Sequence, residues 1–359
     1  MLKRTPFFDI HIENNAKIVP FAGYEMPIQY KGVISEHNKV RNQLGIFDVS
    51  HMTQIIIKGE NAKKLVQKIT TNNVLKLSKL DVQYSCMLNK NACIIDDLLV
   101  YKFDEDEFML VTNASNSEKN LKWINENNHE FKCLVEDITS HRGLLAIQGP
   151  ESLGLLQNFT DFDLKKIQYY KFKRVKFMNF DVIISNTGYT GAGGFELYFD
   201  KEVAIEILNN LLNDKTKPEL AGLAARDTLR LEMGYCLYGN DIDETTTPLE
   251  ASLSWIVKFE NDFIGRDKLK NQKIIGLKRK LVGFTLIDKG IPRKGYEIFD
   301  SNNQKIGIVT SGTMSPSLNK SIGMGYVNIK ESNVDNYIFI KIRNKLVKGM
   351  IVKRPFYVK

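Results

Sequence analysis

The feature of this sequence that most restricts its fold is the apolar run over residues 93–101, which contains two adjacent carboxylates, Asp96 and Asp97. The surrounding isoleucine, leucine and valine residues predict a strand that is buried on both faces. Because successive side chains of a strand point to opposite faces, the two aspartates cannot share one environment. We therefore expect at least one of them in a poorly solvated position, where a carboxylate must be paired, hydrogen-bonded or partly protonated.

Two interpretations of this aspartate pair are open. A carboxylate with a raised pKa suits acid–base or positioning chemistry. An aspartate in the same place could instead cap a turn or accept hydrogen bonds from backbone amides at a sheet edge. The stretch alone does not choose between a catalytic and a structural role.

The segment around the aspartates has the pattern of a β-meander. Strand patterns precede and follow the Asp-Asp strand, with polar turns between them, at residues 84–88 and 108–113. In an antiparallel meander the ends of alternate strands lie together. We therefore expect Tyr84, Asp97 and Asn113 to line one surface.

Helical and strand patterns alternate through the rest of the first 275 residues. Helices are predicted at residues 34–44, 62–69, 120–127, 150 onward, 203–212 and 221–232, and strands at 54–58, 131–135, 144–148, 175–177 and 181–185. We predict a loop at residues 21–27 and a glycine-rich hairpin at 186–199 that can bend around a ligand. Arg226 and Arg230 share one helix face, and we expect Arg230 to join an intrahelical ion-pair lattice.

A lysine-rich segment at residues 258–280 precedes a change to short strands. Strand patterns punctuated by turn residues follow at 281–286, 296–299, 306–310, 322–327, 337–342 and 346–353. This spacing predicts an all-β C-terminal domain, a barrel or a jelly-roll-like sheet. We place the domain boundary near residue 275.

The composition excludes several classes of protein. A chain of 359 residues is expected to form two or three domains, and it has no apolar run long enough to span a membrane and no signal-peptide pattern. The four cysteines and five histidines lack metal-ligand spacing, so we expect reduced thiols, no metal and a cytoplasmic location. The net charge of +8 suits anionic partners, but no nucleic-acid module is recognisable.

Ten short motifs, in order from residue 20 to residue 255, together resemble one family, the aminomethyltransferases, which are the T-proteins of the glycine cleavage system, and the resemblance continues to Lys-Arg-Pro-Phe-Tyr at 353–357. The motifs are Pro-Phe-Ala-Gly-Tyr-Glu-Met-Pro at 20–27, Gly-Ile-Phe-Asp-Val-Ser-His-Met at 45–52, Ile-Asp-Asp-Leu at 95–98, Ala-Ile-Gln-Gly-Pro at 146–150, Thr-Gly-Tyr-Thr-Gly at 187–191, Gly-Phe-Glu at 194–196, Ala-Gly-Leu-Ala-Ala-Arg-Asp at 221–227, Leu-Tyr-Gly-Asn-Asp at 237–241, Pro-Leu-Glu at 248–250 and Leu-Ser-Trp at 253–255. One departure is Tyr24, where a tryptophan is common in the family.

The resemblance implies an α+β fold of three lobes in a cloverleaf-like arrangement, with tetrahydrofolate in a central cavity. Residues 1–275 would form the folate-binding region as two mixed α/β lobes, the second, roughly 53–139, inserted in the first. Residues 276–359 would form the all-β C-terminal domain.

The resemblance also implies a reaction. The methylene of an aminomethyl group carried on the lipoyl arm of the H-protein would pass to tetrahydrofolate, releasing ammonia and dihydrolipoyl H-protein. Asp97 would face the reactive pterin nitrogen as the catalytic residue, leaving Asp96 a structural role. The residues at positions expected around the folate are Met52, Tyr84, Asn113, Tyr169, Tyr189, Glu196, Arg226 and Tyr238.

The residue chemistry is compatible with these implied roles. A carboxylate such as Glu196 can accept paired hydrogen bonds from a pterin, and Arg226 can fix that carboxylate or meet an anionic group. Met52, Tyr84 and Tyr238 could equally be packing residues. His51 is interpreted as a structural histidine with satisfied hydrogen bonds. Arg293 is either a contact for the lipoyl arm or acidic partner, or a solvated loop cation.

Two alternatives to this function are open. A tetrahydrofolate-dependent demethylase of a small sulfonium or N-methyl compound would have the same folate motifs. A non-catalytic folate-binding protein of the type involved in RNA modification or iron–sulfur assembly would carry a Lys-Gly-Cys-x-x-Gly-Gln-Glu segment, but residues 247–250 here are Thr-Pro-Leu-Glu. That difference argues against the second alternative.

Overall fold

The computed structural model describes residues 2–358 of the chain. Its α-helices are α1 (Phe8–Glu13), α2 (Val33–Asn42), α3 (Ala62–Ile69), α4 (Ser117–Glu126), α5 (Ser152–Gln157), α6 (Ala204–Leu212), α7 (Leu223–Glu232) and α8 (Arg266–Ile275). Its strands are β1 (Lys17–Phe21), β2 (Tyr24–Gln29), β3 (Gly45–Asp48), β4 (Thr53–Lys58), β5 (Val82–Leu88), β6 (Ile94–Asp104), β7 (Glu107–Thr112), β8 (Leu134–Asp137), β9 (Arg142–Gln148), β10 (Phe172–Phe177), β11 (Phe180–Ser185), β12 (Gly194–Asp200), β13 (Glu219–Leu220), β14 (Arg279–Leu286), β15 (Glu297–Phe299), β16 (Lys305–Ser315), β17 (Lys320–Asn328), β18 (Tyr337–Ile342) and β19 (Lys345–Val352).

A six-stranded sheet of order β10-β11-β12-β9-β3-β13 is the larger of the two mixed α/β layers. Strand alternation gives this sheet two different faces. Phe195, Leu197 and Phe199 of β12 belong to the apolar core that includes residues of α5 and α6. Glu196 and Tyr198 therefore point to the other face of the sheet. The period-2 pattern of this one strand thus separates the core from the polar side chains described below.

A five-stranded sheet of order β5-β6-β7-β4-β8 lies in the sequence between β3 and β9 of the first sheet. The order β5-β6-β7 confirms the predicted meander, with Leu99 opposite Val111 in the antiparallel register. Tyr101 of β6 packs on Phe172 of β10 at 5.2 Å between ring centroids. Its hydroxyl is 2.7 Å from that of Tyr198, so a hydrogen bond joins side chains from the two sheets.

The prediction of a loop at residues 21–27 is wrong, because β1 and β2 form an antiparallel hairpin there. Ala22 and Gly23 make the turn with positive φ angles of 49° and 82°. Pro20 and Pro27 argued against strands, since proline cannot donate to a sheet ladder. The two-stranded ribbon pairs with no other strand, and its further bridge, Lys3 to Tyr24, involves neither proline, so it tolerates them.

The C-terminal strands close into a barrel of order β14-β17-β16-β15-β18-β19. All six predicted strands are present, and of the two predicted architectures the barrel is confirmed. Its interior is filled by branched aliphatic side chains with one phenylalanine, Phe284. β16 extends beyond the prediction to Ser315 and contains an irregularity between Val309 and Ser311.

The chain forms two compact units, and neither is a continuous segment. The first comprises the chain up to Ile69, Asn73–Ser85 and Leu98–Asp227, and the second comprises Thr70–Asn72, Cys86–Asp97 and the chain from Thr228 onward. The boundary at residue 275 and the inserted lobe at 53–139 stay predictions. No helix within residues 2–358 combines the length and apolar character that crossing a bilayer requires.

Candidate functional site

Glu196 is a buried carboxylate of the first unit, with only 7% of its surface exposed. It lies opposite Ser185 of β11 and Ala146 of β9, on the sheet face away from α5 and α6. Thr187 donates a hydrogen bond to its Oε2 at 2.5 Å. Burial raises the pKa of Glu196, while the Thr187 hydrogen bond and the positive charge of Arg226 oppose that rise.

The glycine-rich segment before β12 is held in place by Gln148. Thr190 donates to the Gln148 side-chain oxygen at 2.8 Å, and the Gln148 amide nitrogen donates to the carbonyl of Thr187 at 3.2 Å. Gly194 has a φ of +135°, and a Cβ there would lie 2.3 Å from the Ile147 carbonyl oxygen. The close backbone approach therefore requires glycine, and it fixes the residue preceding the Phe195-Glu196 pair.

Arg226 lies in the first turn of α7 and places its guanidinium 4.7 Å from the ring centroid of Tyr189. Its Nη1 is buried without a hydrogen-bond partner within residues 2–358. Burial lowers the pKa of Arg226, and the charge of Glu196 opposes that change. A buried charged donor without a partner is costly, so such an atom marks a place for a ligand or an ordered water.

His51 is a further buried group of the first unit, and its ring lies against Phe21 and Tyr24 with centroid distances of 5.6 and 6.2 Å. Its Nδ1 has no hydrogen-bond partner in the described part of the chain. The expectation of a fully satisfied histidine is therefore wrong. Burial lowers the pKa of His51 to about 4 despite the opposing charge of Asp48, so the ring is neutral at pH 7.

The other residues predicted around the folate from this unit differ in exposure. Met52, Tyr84 and Asn113 are partly buried, and they lie in the loop between β3 and β4, in β5 and just after β7. Tyr169 is 66% exposed, with its ring edge-on to Tyr170 at 4.8 Å. The first three are positioned by sheet elements, whereas Tyr169 lies on a loop surface.

Asp96 and Asp97 lie in the part of β6 that belongs to the second unit. Asp96 is 0% exposed, whereas Asp97 is partly exposed. The prediction that the two carboxylates occupy different environments is confirmed, and Asp96 is the poorly solvated one. Of the two, Asp97 is the carboxylate that solvent can reach.

Tyr238 and two cysteines lie near enough to feel the charge of these aspartates. Tyr238 donates to the carbonyl of Ile94 at 3.3 Å, and burial raises its pKa together with nearby negative charges that include Asp96 and Asp97. Burial and the charge of Asp97 raise the pKa of the Cys86 thiol, and burial raises the pKa of Cys236 to about 12. The sequence predicted reduced thiols but not the proximity of these two to the aspartates, because a single buried cysteine has no distinctive spacing.

Arg230 has partners outside α7, beyond the intrahelical ion-pair lattice predicted for it. Its Nη1 donates to Asp241 Oδ2 at 2.7 Å, and its Nη2 donates to Ser311 at 2.8 Å. Asp241 also accepts a hydrogen bond from the Leu237 amide at 2.9 Å. The pair fixes the loop after α7, which carries Tyr238.

Arg293 lies on an exposed loop of the barrel domain. Its guanidinium donates to the carbonyl of Gly312 at 3.0 Å.

All four cysteines are free thiols. Among residues 2–358 no group of histidine, cysteine, aspartate and glutamate side chains is arranged to hold a metal ion.

Comparisons with known proteins agree with this architecture. Residues 7–261 match the family described as GCVT N-terminal domain, and residues 279–357 match the glycine cleavage T-protein C-terminal barrel domain. The crystal structure of glycine cleavage system aminomethyltransferase T from Bartonella henselae is 33% identical, with a TM-score of 0.94 over 99% of this chain and 98% of that one.

Curated relatives give the same result at higher identity. The aminomethyltransferase of Flavobacterium psychrophilum is 50% identical over 362 residues, covering 100% of both chains. That of Porphyromonas gingivalis strain W83 is also 50% identical, covering 99% of each. The fold and the two matched domains thus define a one-carbon transferase of the T-protein class. The chain belongs to the aminomethyltransferase family of the glycine cleavage system.

Proposed function

We propose that this chain transfers the methylene of the aminomethyl group on the lipoyl arm of the H-protein to tetrahydrofolate. The products are methylene-tetrahydrofolate, ammonia and dihydrolipoyl H-protein. The carbon–sulfur and carbon–nitrogen bonds of the aminomethyl group break, and two folate nitrogens bond to the carbon. The two protons those nitrogens lose are taken up by the sulfur and by the departing ammonia. Family membership supports this reaction.

The observation that carries the proposal is the unpartnered Nη1 of Arg226 in the same unit as the buried carboxylate of Glu196. The pterin of tetrahydrofolate presents an amino group and ring nitrogens that can donate to a carboxylate, and its carbonyl or the carboxylates of the glutamate tail can accept from a guanidinium. Tyr189 adds a flat aromatic wall beside Arg226. These side chains therefore fit a polar, planar co-substrate. We propose the same binding role for Met52, Tyr84, Asn113, Tyr169 and Tyr238.

Asp97 is the proposed catalytic residue. Its carboxylate would accept a hydrogen bond from the reactive pterin nitrogen and favour the positive charge that develops on the methylene carbon. The partial exposure of Asp97 is compatible with contact to a substrate, whereas the full burial of Asp96 suits a structural role.

The exchange Asp97→Asn tests this assignment. We expect turnover to fall about 10²–10⁴-fold, the range typical of a lost acid–base or electrostatic group. Folate affinity should stay within about tenfold, because Asp97 acts mainly in the transition state. The matched control Asp96→Asn should lower stability more than turnover. Near-normal turnover in Asp97→Asn, measured beside its folate affinity, would contradict the catalytic role.

The donor is tested by a turnover assay of the purified chain with tetrahydrofolate. One reaction receives aminomethylated lipoyl H-protein, and parallel reactions receive a small sulfonium compound or an N-methyl amine. We expect methylene-tetrahydrofolate and ammonia only with the H-protein. Turnover of a small methyl donor instead would establish the demethylase alternative.

The remaining proposals concern partners, location and organisation. Four free thiols support a reducing, cytoplasmic location. Lipoylated H-protein and tetrahydrofolate are the proposed partners, with Arg293 a candidate contact for the former, and we propose no nucleic-acid or membrane partner. The division into residues 1–275, with a lobe at 53–139, and residues 276–359 is proposed on the family's pattern.

A further inference from the structure

Four buried hydroxyl groups form a hydrogen-bonded series that ends at Glu196. The hydroxyl of Tyr198 lies 2.7 Å from that of Tyr101, which lies 3.2 Å from Ser185 Oγ. Ser185 Oγ lies 2.9 Å from Thr187 Oγ1, and Thr187 Oγ1 lies 2.5 Å from Glu196 Oε2. All five residues belong to the first unit, and none of the four hydroxyl-bearing residues is more than 3% exposed. We call these four groups the hydroxyl chain.

The hydroxyl chain is positioned mainly by strands. Ser185 ends β11 directly opposite Glu196 of β12, and Tyr198 lies two residues after Glu196 on the same face of the sheet. Thr187 follows the end of β11 by two residues. Tyr101 of β6 places its ring 5.5 Å from that of Tyr198. Because strands and packed rings hold these hydroxyl groups, the support around Glu196 is formed before any ligand binds.

The direction of the hydroxyl chain follows from a count of protons. Each hydroxyl has one proton to donate, whereas an ionised carboxylate can only accept. The Thr187 proton must therefore go to Glu196, and the Thr187 oxygen accepts from Ser185. Ser185 in turn accepts from Tyr101, which accepts from Tyr198. A contact of 3.3 Å between the Tyr101 hydroxyl and Thr187 Oγ1 runs in the same direction. Every proton of the hydroxyl chain is thus directed towards the carboxylate.

The two phenols keep the protons that this direction needs. Burial and the charge of Glu196 raise the pKa of Tyr101, and burial raises the pKa of Tyr198 together with the influence of Tyr101 and Glu196. Both phenols are therefore neutral donors at pH 7. Arg226 adds a positive charge that favours the ionised form of Glu196. Neutral donors together with one cation are the surroundings that a buried carboxylate requires.

The hydroxyl chain uses only one oxygen of the carboxylate. Thr187 is the single hydrogen-bond donor to Glu196 within residues 2–358, and it contacts Oε2. Oε1 therefore keeps its capacity to accept hydrogen bonds. Each donation in such a series polarises the next, so the hydroxyls behind Thr187 strengthen its bond to the carboxylate. The hydroxyl chain thus presents Glu196 to a ligand as an acceptor.

We propose that the hydroxyl chain is a positioning device for co-substrate recognition: it fixes Oε2 of Glu196 so that Oε1 accepts from the amino group of the pterin. This inference rests on the proposed function. It makes Tyr101, Ser185, Thr187 and Tyr198 positioning residues, which act through Glu196 rather than by contact with the co-substrate. An acceptor held in this way selects a ring that carries donors over one that lacks them.

The first test measures tetrahydrofolate binding by titration calorimetry and turnover in the aminomethyl-transfer assay, both with the full chain. Thr187→Val removes the donor to Glu196 and keeps the branched shape of the side chain. We expect its dissociation constant for tetrahydrofolate to rise about tenfold, the lower end for a hydrogen bond to a charged group, with kcat within about threefold. Thr187→Ser restores the hydroxyl and should bind within about twofold of wild type.

A ligand without the amino group tests whether Thr187 acts through Glu196. Wild type and Thr187→Val are both titrated with 2-desamino-2-methyl-tetrahydrofolate. Wild type should bind this analogue more weakly than tetrahydrofolate. With the analogue, Thr187→Val should cost less than about twofold, because the hydrogen bond that it weakens is already absent. Equal losses with the two ligands would overturn the proposal.

Tyr101→Phe interrupts the hydroxyl chain further from the carboxylate, and it carries the test if Thr187→Val does not fold. We expect about threefold weaker binding of tetrahydrofolate, a smaller loss because this hydroxyl acts on Glu196 only by polarising its neighbours. The matched control is Tyr30→Phe, which removes a partly buried phenol hydroxyl 2.9 Å from His11 Nδ1 in the same unit. The tetrahydrofolate affinity of this control should match that of wild type.

The outcomes separate this inference from the proposed function. If wild type binds tetrahydrofolate and transfers the methylene, while Thr187→Val and Tyr101→Phe bind with wild-type affinity, the positioning role is wrong and the proposed function stands. If wild type neither binds tetrahydrofolate nor transfers the methylene, both fail together. Equal weakening by Tyr101→Phe and Tyr30→Phe would also contradict the positioning role, because only the first hydroxyl belongs to the hydroxyl chain.

Discussion

Arg226 and Arg230 occupy successive turns of α7, yet their surroundings are opposite in kind. Arg230 is satisfied by Asp241, Ser311 and the carbonyl of Tyr235. Arg226 has a buried Nη1 without a hydrogen-bond partner among residues 2–358, and its nearest described contact is the face of Tyr189. Both are arginines of one helix, four residues apart, and so local sequence cannot distinguish them.

Their acidic counterparts differ in the same way. Asp241 accepts hydrogen bonds from Arg230, the Leu237 amide and Thr310. Glu196 has a single described donor, Thr187, and burial raises its pKa. A fully satisfied buried pair holds structure, whereas under-satisfied polar groups leave hydrogen-bonding capacity for a ligand. The degree of satisfaction therefore separates the structural region from the proposed functional one.

The largest effect on stability is expected from disrupting the hydrogen-bonded pair of Arg230 and Asp241. Asp241→Asn removes a counter-ion of the buried Arg230 charge, and this should lower the free energy of unfolding by about 3–5 kcal/mol. Equilibrium unfolding in urea, followed for the wild type and the variant, checks it. Turnover per folded molecule should fall much less than in Asp97→Asn.

Glu196→Gln is the matched control for Asp241→Asn. A raised pKa in the folded state means that the carboxyl group contributes stability below its unfolded pKa and loses it as pH rises through the folded one. Glutamine carries no charge to bury, so the variant should be at least as stable as wild type at pH 8. Equal destabilisation by the two exchanges would remove the distinction between the regions.

The next effect concerns His51 and pH. Its pKa falls from 6.5 to about 4 on folding, so the unfolded chain binds a proton first as pH drops. The contribution is complete above pH 6.5 and is lost as pH falls to 4, which amounts to about 3 kcal/mol. His51→Gln should therefore show a shallower loss of stability between these pH values. Urea unfolding at several pH values measures the slope, and an unchanged slope would contradict the neutral, buried ring.

Much of the fold could be predicted from the sequence, because strand alternation and turn residues are local signals. The meander around Asp96 and the six strands of the barrel follow from those patterns. The β1–β2 hairpin was missed because Pro20 and Pro27 argue against strands, although both are in paired strands here. The geometry of the two-stranded ribbon, rather than the strand preference of its residues, therefore determined the structure of this segment.

The site was harder to predict, because its contacts join distant parts of the chain. The partner of Arg230 lies beyond the end of α7, and a search limited to helix spacing could not reach it. His11 pairs with Asp48 at 2.9 Å across 37 positions, with no motif to indicate it. Burial of Asp96 could be predicted from its apolar neighbours, whereas the orphaned atoms of Arg226 and His51 depend on packing.

The smallest effect on stability is expected at Arg226, the second member of the arginine comparison in α7. Arg226→Gln removes a guanidinium whose Nη1 has no hydrogen-bond partner among residues 2–358, so the free energy of unfolding should change by less than about 1 kcal/mol. Tetrahydrofolate affinity should fall ~10–100-fold, the value of hydrogen bonds that involve a charged group. Removing the cation also raises the pKa of Glu196 further, since Arg226 opposes that rise in the wild type.

Arg230→Gln is the matched control for Arg226→Gln. It removes the same group four residues along the helix, and it should destabilise the chain while folate affinity per folded molecule falls much less than in Arg226→Gln. Titration calorimetry with tetrahydrofolate and urea unfolding are measured on both variants. If Arg226→Gln destabilises the chain as much as Arg230→Gln and leaves affinity intact, then Arg226 is structural. The orphaned nitrogen would in that case mark a site for water rather than for folate.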